Sequence, residues 1–171
     1  MAAVRAIVLL ALTAVTSFGA DEAPRYTGSS TCAGCHRTQA ESHAAGGHAR
    51  SLRRAADHPL REQFPDRYAP GSPRFWAFGG GVQAVTFVRQ LTDEVWVEDH
   101  RTWYSATREY APTPGHQTLP ESHRRDSPGV RYRTFAPDAA ILRCFQCHST
   151  GPLSLGESFA IQPFEPGVQC E

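Results

Sequence analysis

Cys32, Cys35 and His36 stand together in "STCAGCH", and Cys144, Cys147 and His148 repeat the arrangement in "RCFQCH". Two thiols two residues apart, followed at once by an imidazole, form the attachment pattern of c-type haem. The thiols add across the porphyrin vinyl groups, and the adjacent imidazole reaches the iron from one face. On this reading haem c is the cofactor, and His36 and His148 are the proximal iron ligands. Cys170 stands alone in "PGVQCE". The expectation there is a third attachment motif cut off at Cys170, since an unpaired thiol in an exported protein is a reactive liability.

Three other chemistries compete for the same thiols. A four-cysteine zinc site would use both pairs, but it leaves the histidine after each pair unexplained and joins residues far apart in the chain. A redox-active dithiol expects a βαβ setting that the sequence lacks. A disulfide inside each pair suits a two-residue helical spacer poorly.

Haem iron held by one histidine has a second axial position. The only Met is Met1 and Lys is absent, so histidine is the expected protein partner. His48 follows Gly46 and Gly47, which let backbone approach a flat cofactor, and His116 ends the constrained run "APTPGH". These two come first as distal ligands and His100, in "VEDHRTWY", third. His43 lies close to its own motif and suits a neighbouring haem. His58 and His123 sit among charged residues and read as solvated. For each of the six the alternative is an ordinary surface histidine. Neutral imidazole is the ligand form, so acid should weaken these bonds.

The elements that must position these residues are short. Thirteen prolines and fourteen glycines punctuate 171 residues. Seventeen arginines balance seventeen acids, which excludes the basic face of a nucleic-acid binder. Residues 1–20 read as a signal peptide: Arg5, then the apolar run Ala6–Val15, then small residues before the cut. That run is shorter than the ~20 apolar residues of a membrane span. An uncleaved anchor is the alternative, and either way residues 21–171 form an exported, periplasmic or otherwise extracytoplasmic domain with no further membrane span. A helix is permitted from Cys32 to about Ala45, and "HARSLRRAA" could start another. Residues 58–73 read as irregular. Val82–Leu91 alternates at period two, turns at Thr92–Glu94 and returns through "VWVEDHRTWYSA", which predicts a β-hairpin or meander. Residues 111–136 read as loops. "APDAAILRCFQCH" predicts a helix with Pro137 in its first turn and Asp138 near its positive end. The tail reads as mostly loop. Apolar residues spread this thinly predict a mainly α and irregular fold with a small β-hairpin or meander, wrapped around packed haems that fill the interior. Trp76, Trp96 and Trp103 would pack on haem faces or form a hairpin core. Arg50, Arg53 and Arg54 would pair with haem propionates or line a solvated helix face.

With "YTGSSTCAGCH", "HARSL", "FGGGVQAVTFV", "TWYSATREYAPTPGHQ", "CFQCHS" and "GVQCE" in view, the chain resembles the multihaem cytochromes c related to the tetrahaem cytochrome c of ammonia-oxidising bacteria. The likeness covers residues 24–171, departing at the incomplete third motif. It implies a loop-and-helix fold round closely packed haems, electron transfer, His36 and His148 as proximal ligands and His48 and His116 as distal ones. Redox proteins, or further haem domains of a longer chain, are the partners expected. Two functions stay open: an electron carrier with every iron six-coordinate, and an oxidoreductase acting on a small nitrogen or sulfur compound at a five-coordinate haem.

Overall fold

A computed structural model of the chain describes residues 25–63, 74–116, 129–134 and 139–171. Residues 1–20, the expected signal peptide, lie outside them, as do His123, Pro137 and Asp138. Among the described residues the architecture is mostly β, which overturns the mainly α expectation. Nine strands stand beside three short α-helices. Seven strands form one antiparallel sheet in the order β1 (Leu52–Arg54), β2 (Phe75–Phe78), β3 (Ala84–Thr92), β4 (Val95–Asp99), β7 (Gly129–Arg133), with β5 (Arg101–Tyr104) and β6 (Glu109–Pro112) branching from β3. β8 (Ser149–Leu155) and β9 (Ile161–Pro166) form a separate hairpin.

β3 is the spine. Its C-terminal half pairs with β4 and its N-terminal half with β5 on the same side. Between the Val88–Glu98 and Val85–Trp103 pairs, β3 supplies Thr86 and Phe87 while the return arm supplies Asp99 to Thr102. The two surplus residues form a bulge at His100 and let the arm fork, β4 going to β7 and β5 to β6. A hydroxyl chain fills the fork. Thr86 and Thr102 Oγ1 are 2.7 Å apart, Thr102 donates to Thr113 Oγ1 at 3.0 Å, and Thr113 donates to the Asp99 carbonyl at 2.6 Å.

The sheet is covered on both faces, so the core comes from side chains after all. One face carries Leu52, Trp76, Val88 and Trp96 against Ile141 and Phe145 of the third helix and Ile161 of β9. The other carries Phe75, Ala77, Val85, Phe87 and Trp103. Trp76, Trp96 and Trp103 are therefore hydrophobic core of the sheet. The core deficit read from the sequence is absent because strands buried on two faces use every residue: "FWAF" sends Phe75 and Ala77 one way and Trp76 and Phe78 the other. Such a run shows no alternation.

Other expectations are corrected in the same way. The first helix is two, α1 (Ser29–Cys35) and α2 (Arg37–Ala44), broken at His36, where φ is −114° and ψ 49°. "HARSLRRAA" is a turn leading into β1, because Leu52 pairs with Phe78 and is fully buried. Arg54 thus lies on a strand, its guanidinium 3.8 Å over the Trp76 ring. The supposed loop at 111–136 includes the end of β6 and all of β7, and the supposed loop of the tail is the β8–β9 hairpin. The third helix, α3 (Ala140–Cys147), lies where the sequence places it. Its buried residues, Ile141 and Phe145, are one turn apart and face the sheet. Among the described residues no helix is long and apolar enough to cross a membrane.

Candidate functional site

Both C-x-x-C-H copies fold alike. Each pair of cysteines lies in the last turn of a helix, three residues apart and so on one face. Each histidine caps that helix, with its N–H bonded to the carbonyl of the first cysteine: His36 to Cys32 at 2.8 Å and His148 to Cys144 at 3.1 Å. The motif therefore presents two thiols on one side of a helix, with an imidazole at its end. All five cysteines are free thiols.

The surroundings of the two copies differ. Cys144, Cys147 and His148 together line a cavity of about 480 Å³ between α3 and the sheet. Its far wall is Phe78 and the β3 residues Ala84, Thr86 and Val88, with Glu98 of β4 and Arg143 completing it. The volume falls in the ~300–1,000 Å³ range of small-molecule and cofactor sites. Phe78 stacks edge-on against the His148 ring at 5.1 Å and against Phe145 at 5.1 Å, so the imidazole is set by the core. His148 Nδ1 is buried without a hydrogen-bond partner. Two thiols, an imidazole and an apolar wall around one hollow fit a tethered porphyrin, with Arg143 as the cation for a propionate. Burial, reinforced by Glu98, raises the Cys144 thiol above its usual range. At the first copy Cys35 and His36 are exposed.

The remaining sequence-predicted residues fall into three places. His48 is exposed and lines a second hollow of about 500 Å³, which shares Gly79 and Ala84 with the first. Consecutive amides hold both histidine segments: Gly167 N–H bonds the His148 carbonyl and Val168 N–H the His48 carbonyl, each at 3.0 Å. His43 points its Nε2 at the Val168 carbonyl, 2.6 Å away, and lines a third hollow of about 540 Å³ together with Cys170. His100 and His116 meet at the bulge, their Nδ1 atoms 3.0 Å apart and their rings perpendicular. His116 Nε2 lies 3.3 Å from Glu98 Oε2 without the alignment of a hydrogen bond. Glu98 also accepts the Tyr132 hydroxyl at 2.7 Å. Burial and that hydrogen bond push the Tyr132 phenol well above its ordinary range. Burial, with His116 adding to it, lowers His100. Sequence reasoning missed Glu98 and Tyr132. Their only signal is that they alternate in phase with Trp96 and face α3, which needs the β4–β7 register to see.

His58, read from sequence as solvated, is 1% exposed. Its Nδ1 accepts the Leu60 N–H and its Nε2 donates to the Gly79 carbonyl, both at 3.1 Å, so the neutral tautomer is fixed. Burial first, and Arg53 after it, lower its pKa. The unfolded chain then takes up a proton before the folded one does. Stability from His58 is fully present above the unfolded pKa of ~6.5 and is lost as pH falls below it toward the folded value. Urea midpoints between pH 8 and pH 5 should drop for the native chain and stay flatter for His58→Asn. A flat native profile would contradict this role.

Two glycines bear on the site. Gly79, at φ 112°, forms the wall shared by two hollows, and a Cβ there would strike the Ala84 carbonyl. Gly167, at φ 83°, would drive a Cβ into the Ala49 carbonyl. Among the described residues no group of three or more His, Cys, Asp or Glu is gathered to hold a metal ion. Compared with known proteins, no family model, no curated protein and no solved structure matches this chain. The likeness to multihaem cytochromes rests on the quoted residues alone.

Proposed function

We propose that the chain is an exported c-type cytochrome carrying electrons through haem c held at Cys32–Cys35 and at Cys144–Cys147. The observation that carries this reading is that Cys144, Cys147 and His148 line one cavity of cofactor size. The same helix-capping hydrogen bond, from the histidine N–H to the first cysteine's carbonyl, recurs in the first copy and supports it. Bound haem supplies one-electron chemistry at iron. The chain's own part is to fix its surroundings. Phe78, backed by Phe145, packs on the His148 ring, the β3 side chains keep water from one face, and Arg143 supplies a positive charge. A rigid wall of this kind leaves little to rearrange when charge changes, and burial and nearby charge set the potential. Partners are redox proteins, reached outside the cytoplasm.

A second reading has an observation of its own. Among the described residues His148 is the one histidine lining that cavity, while Glu98 enters it with Tyr132 behind. That arrangement suits an oxidoreductase with an open iron position. His48, in the adjoining hollow, decides between the two. For the carrier, electron paramagnetic resonance of the native protein should show low-spin signals only, and His48→Ala should create a high-spin fraction that binds cyanide. For the enzyme, the native protein already shows that fraction and His48→Ala adds nothing. Production in a host able to mature cytochromes c, followed by acid extraction and intact mass, tests both. A bare polypeptide mass would sink them together.

A further inference from the structure

We propose that haem tethered at Cys32 and Cys35 is what orders the α1–α2 segment, while the sheet and α3 fold without any haem. The inference rests on the haem reading of the first motif.

α1 has seven residues and α2 eight, and neither contains a buried residue. Isolated helices below ~12–15 residues are marginal in water, and helices in proteins are held mainly by a packed apolar face. Neither helix has a side-chain N-cap hydrogen bond or an acidic residue in its first turn. Their anchors are polar and at least partly exposed. Ser29 N–H and Oγ bond the Glu165 carboxylate, Thr27 N–H bonds Glu171, and His43 meets the Val168 carbonyl. Such bonds exchange water for protein partners at small net gain and do not offset the chain entropy of two helices.

α3 is the internal contrast. It bears the same motif but buries Ile141 and Phe145 at 1% and 0% exposure, and Phe145 contacts Trp76, Phe78 and Trp96. The sheet has its own clusters on both faces. What α1–α2 lacks is an apolar partner, and its thiols mark where one attaches. Cys32 and Cys35 share one face of α1, and Cys35 and His36 are exposed. Each thiol adds its S–H across a vinyl C=C, forming one C–S and one C–H bond, with no electron transferred and no leaving group. Two such bonds fix a large apolar ring against the face that the two thiols share.

The test is hydrogen–deuterium exchange by mass spectrometry on the full chain. The native chain matured with haem is compared with Cys32→Ser/Cys35→Ser and with the native sequence made in a host without maturation machinery. Both forms without haem at Cys32 and Cys35 should exchange the amides of residues 29–44 about tenfold or more faster, with the amides of β2, β3, β4 and α3 unchanged. Equal protection of residues 29–44 in all three proteins overturns the proposal, and so does loss of protection across the sheet. Intact mass separates the two levels of failure. A matured native chain with no haem on Cys32 and Cys35 overturns the haem reading of that motif. Haem present with no change in exchange overturns this inference alone.

Discussion

Replacing Cys144 and Cys147 together by serine is expected to cut the covalently bound haem from the proposed two to one. The remaining haem should map to the Cys32–Cys35 peptide after proteolysis. The cost to the fold should be small, of order 1 kcal/mol. Cys147 is exposed and Cys144 only half-buried, and neither belongs to the clusters packed on the sheet. The variant therefore separates loss of cofactor from loss of fold. Haem retained at both sites, or absent from the native protein, would refute the assignment of these thiols. Collapse of the sheet on losing this haem would refute the independence of the core from the cofactor.

Phe145→Ala should have the opposite effect, leaving the thiols intact and removing what aims them. Phe145 is fully buried and meets Trp76, Phe78 and Trp96 edge-on at centroid distances of 5.1 to 5.6 Å. Truncating such a phenylalanine costs about 3–5 kcal/mol. A domain with a typical stability of ~5–15 kcal/mol would lose a large part of it. α3 would also lose its principal grip on the sheet, so the second site should load haem poorly even where the chain stays folded. Urea denaturation and haem stoichiometry report the two consequences separately. A variant within about 1 kcal/mol of the native stability would show that α3 is not anchored through this ring.

Phe145 also shows what the sequence makes legible. It occupies a spacer position of the second motif, and the motif chemistry draws attention to the residues on either side of it. The thiols and their histidines are visible because their spacing is local. α3 is visible for the same reason, and so is the hairpin of β3 with its return arm, where Val85 and Phe87 alternate with polar neighbours and the chain turns at Asp93 and Glu94. The rest of the sheet is hidden. Residues of β2 are buried on two faces and carry no period. β7 finds β4 only across a long stretch of chain, through the Val97–Arg131 register. β8 contains Gly151 and Pro152 and β9 Pro163, residues that argue against strands except in a small edge hairpin. The β4–β7 pairing brings Tyr132 to Glu98, and His116 reaches them from the end of the β5–β6 hairpin. Sequence reasoning could name His116 as a candidate, but it could not place a carboxylate beside it.

The pair of amides at Gly167 and Val168 has a mechanical consequence. A single residue, Gly167, separates the two donors, so it acts as a gauge block between the segments of chain that bear His48 and His148. Lengthening it by a single inserted residue would re-space two potential iron ligands without touching either side chain. The backbone here, more than any rotamer, sets the gap between the two imidazole-bearing segments.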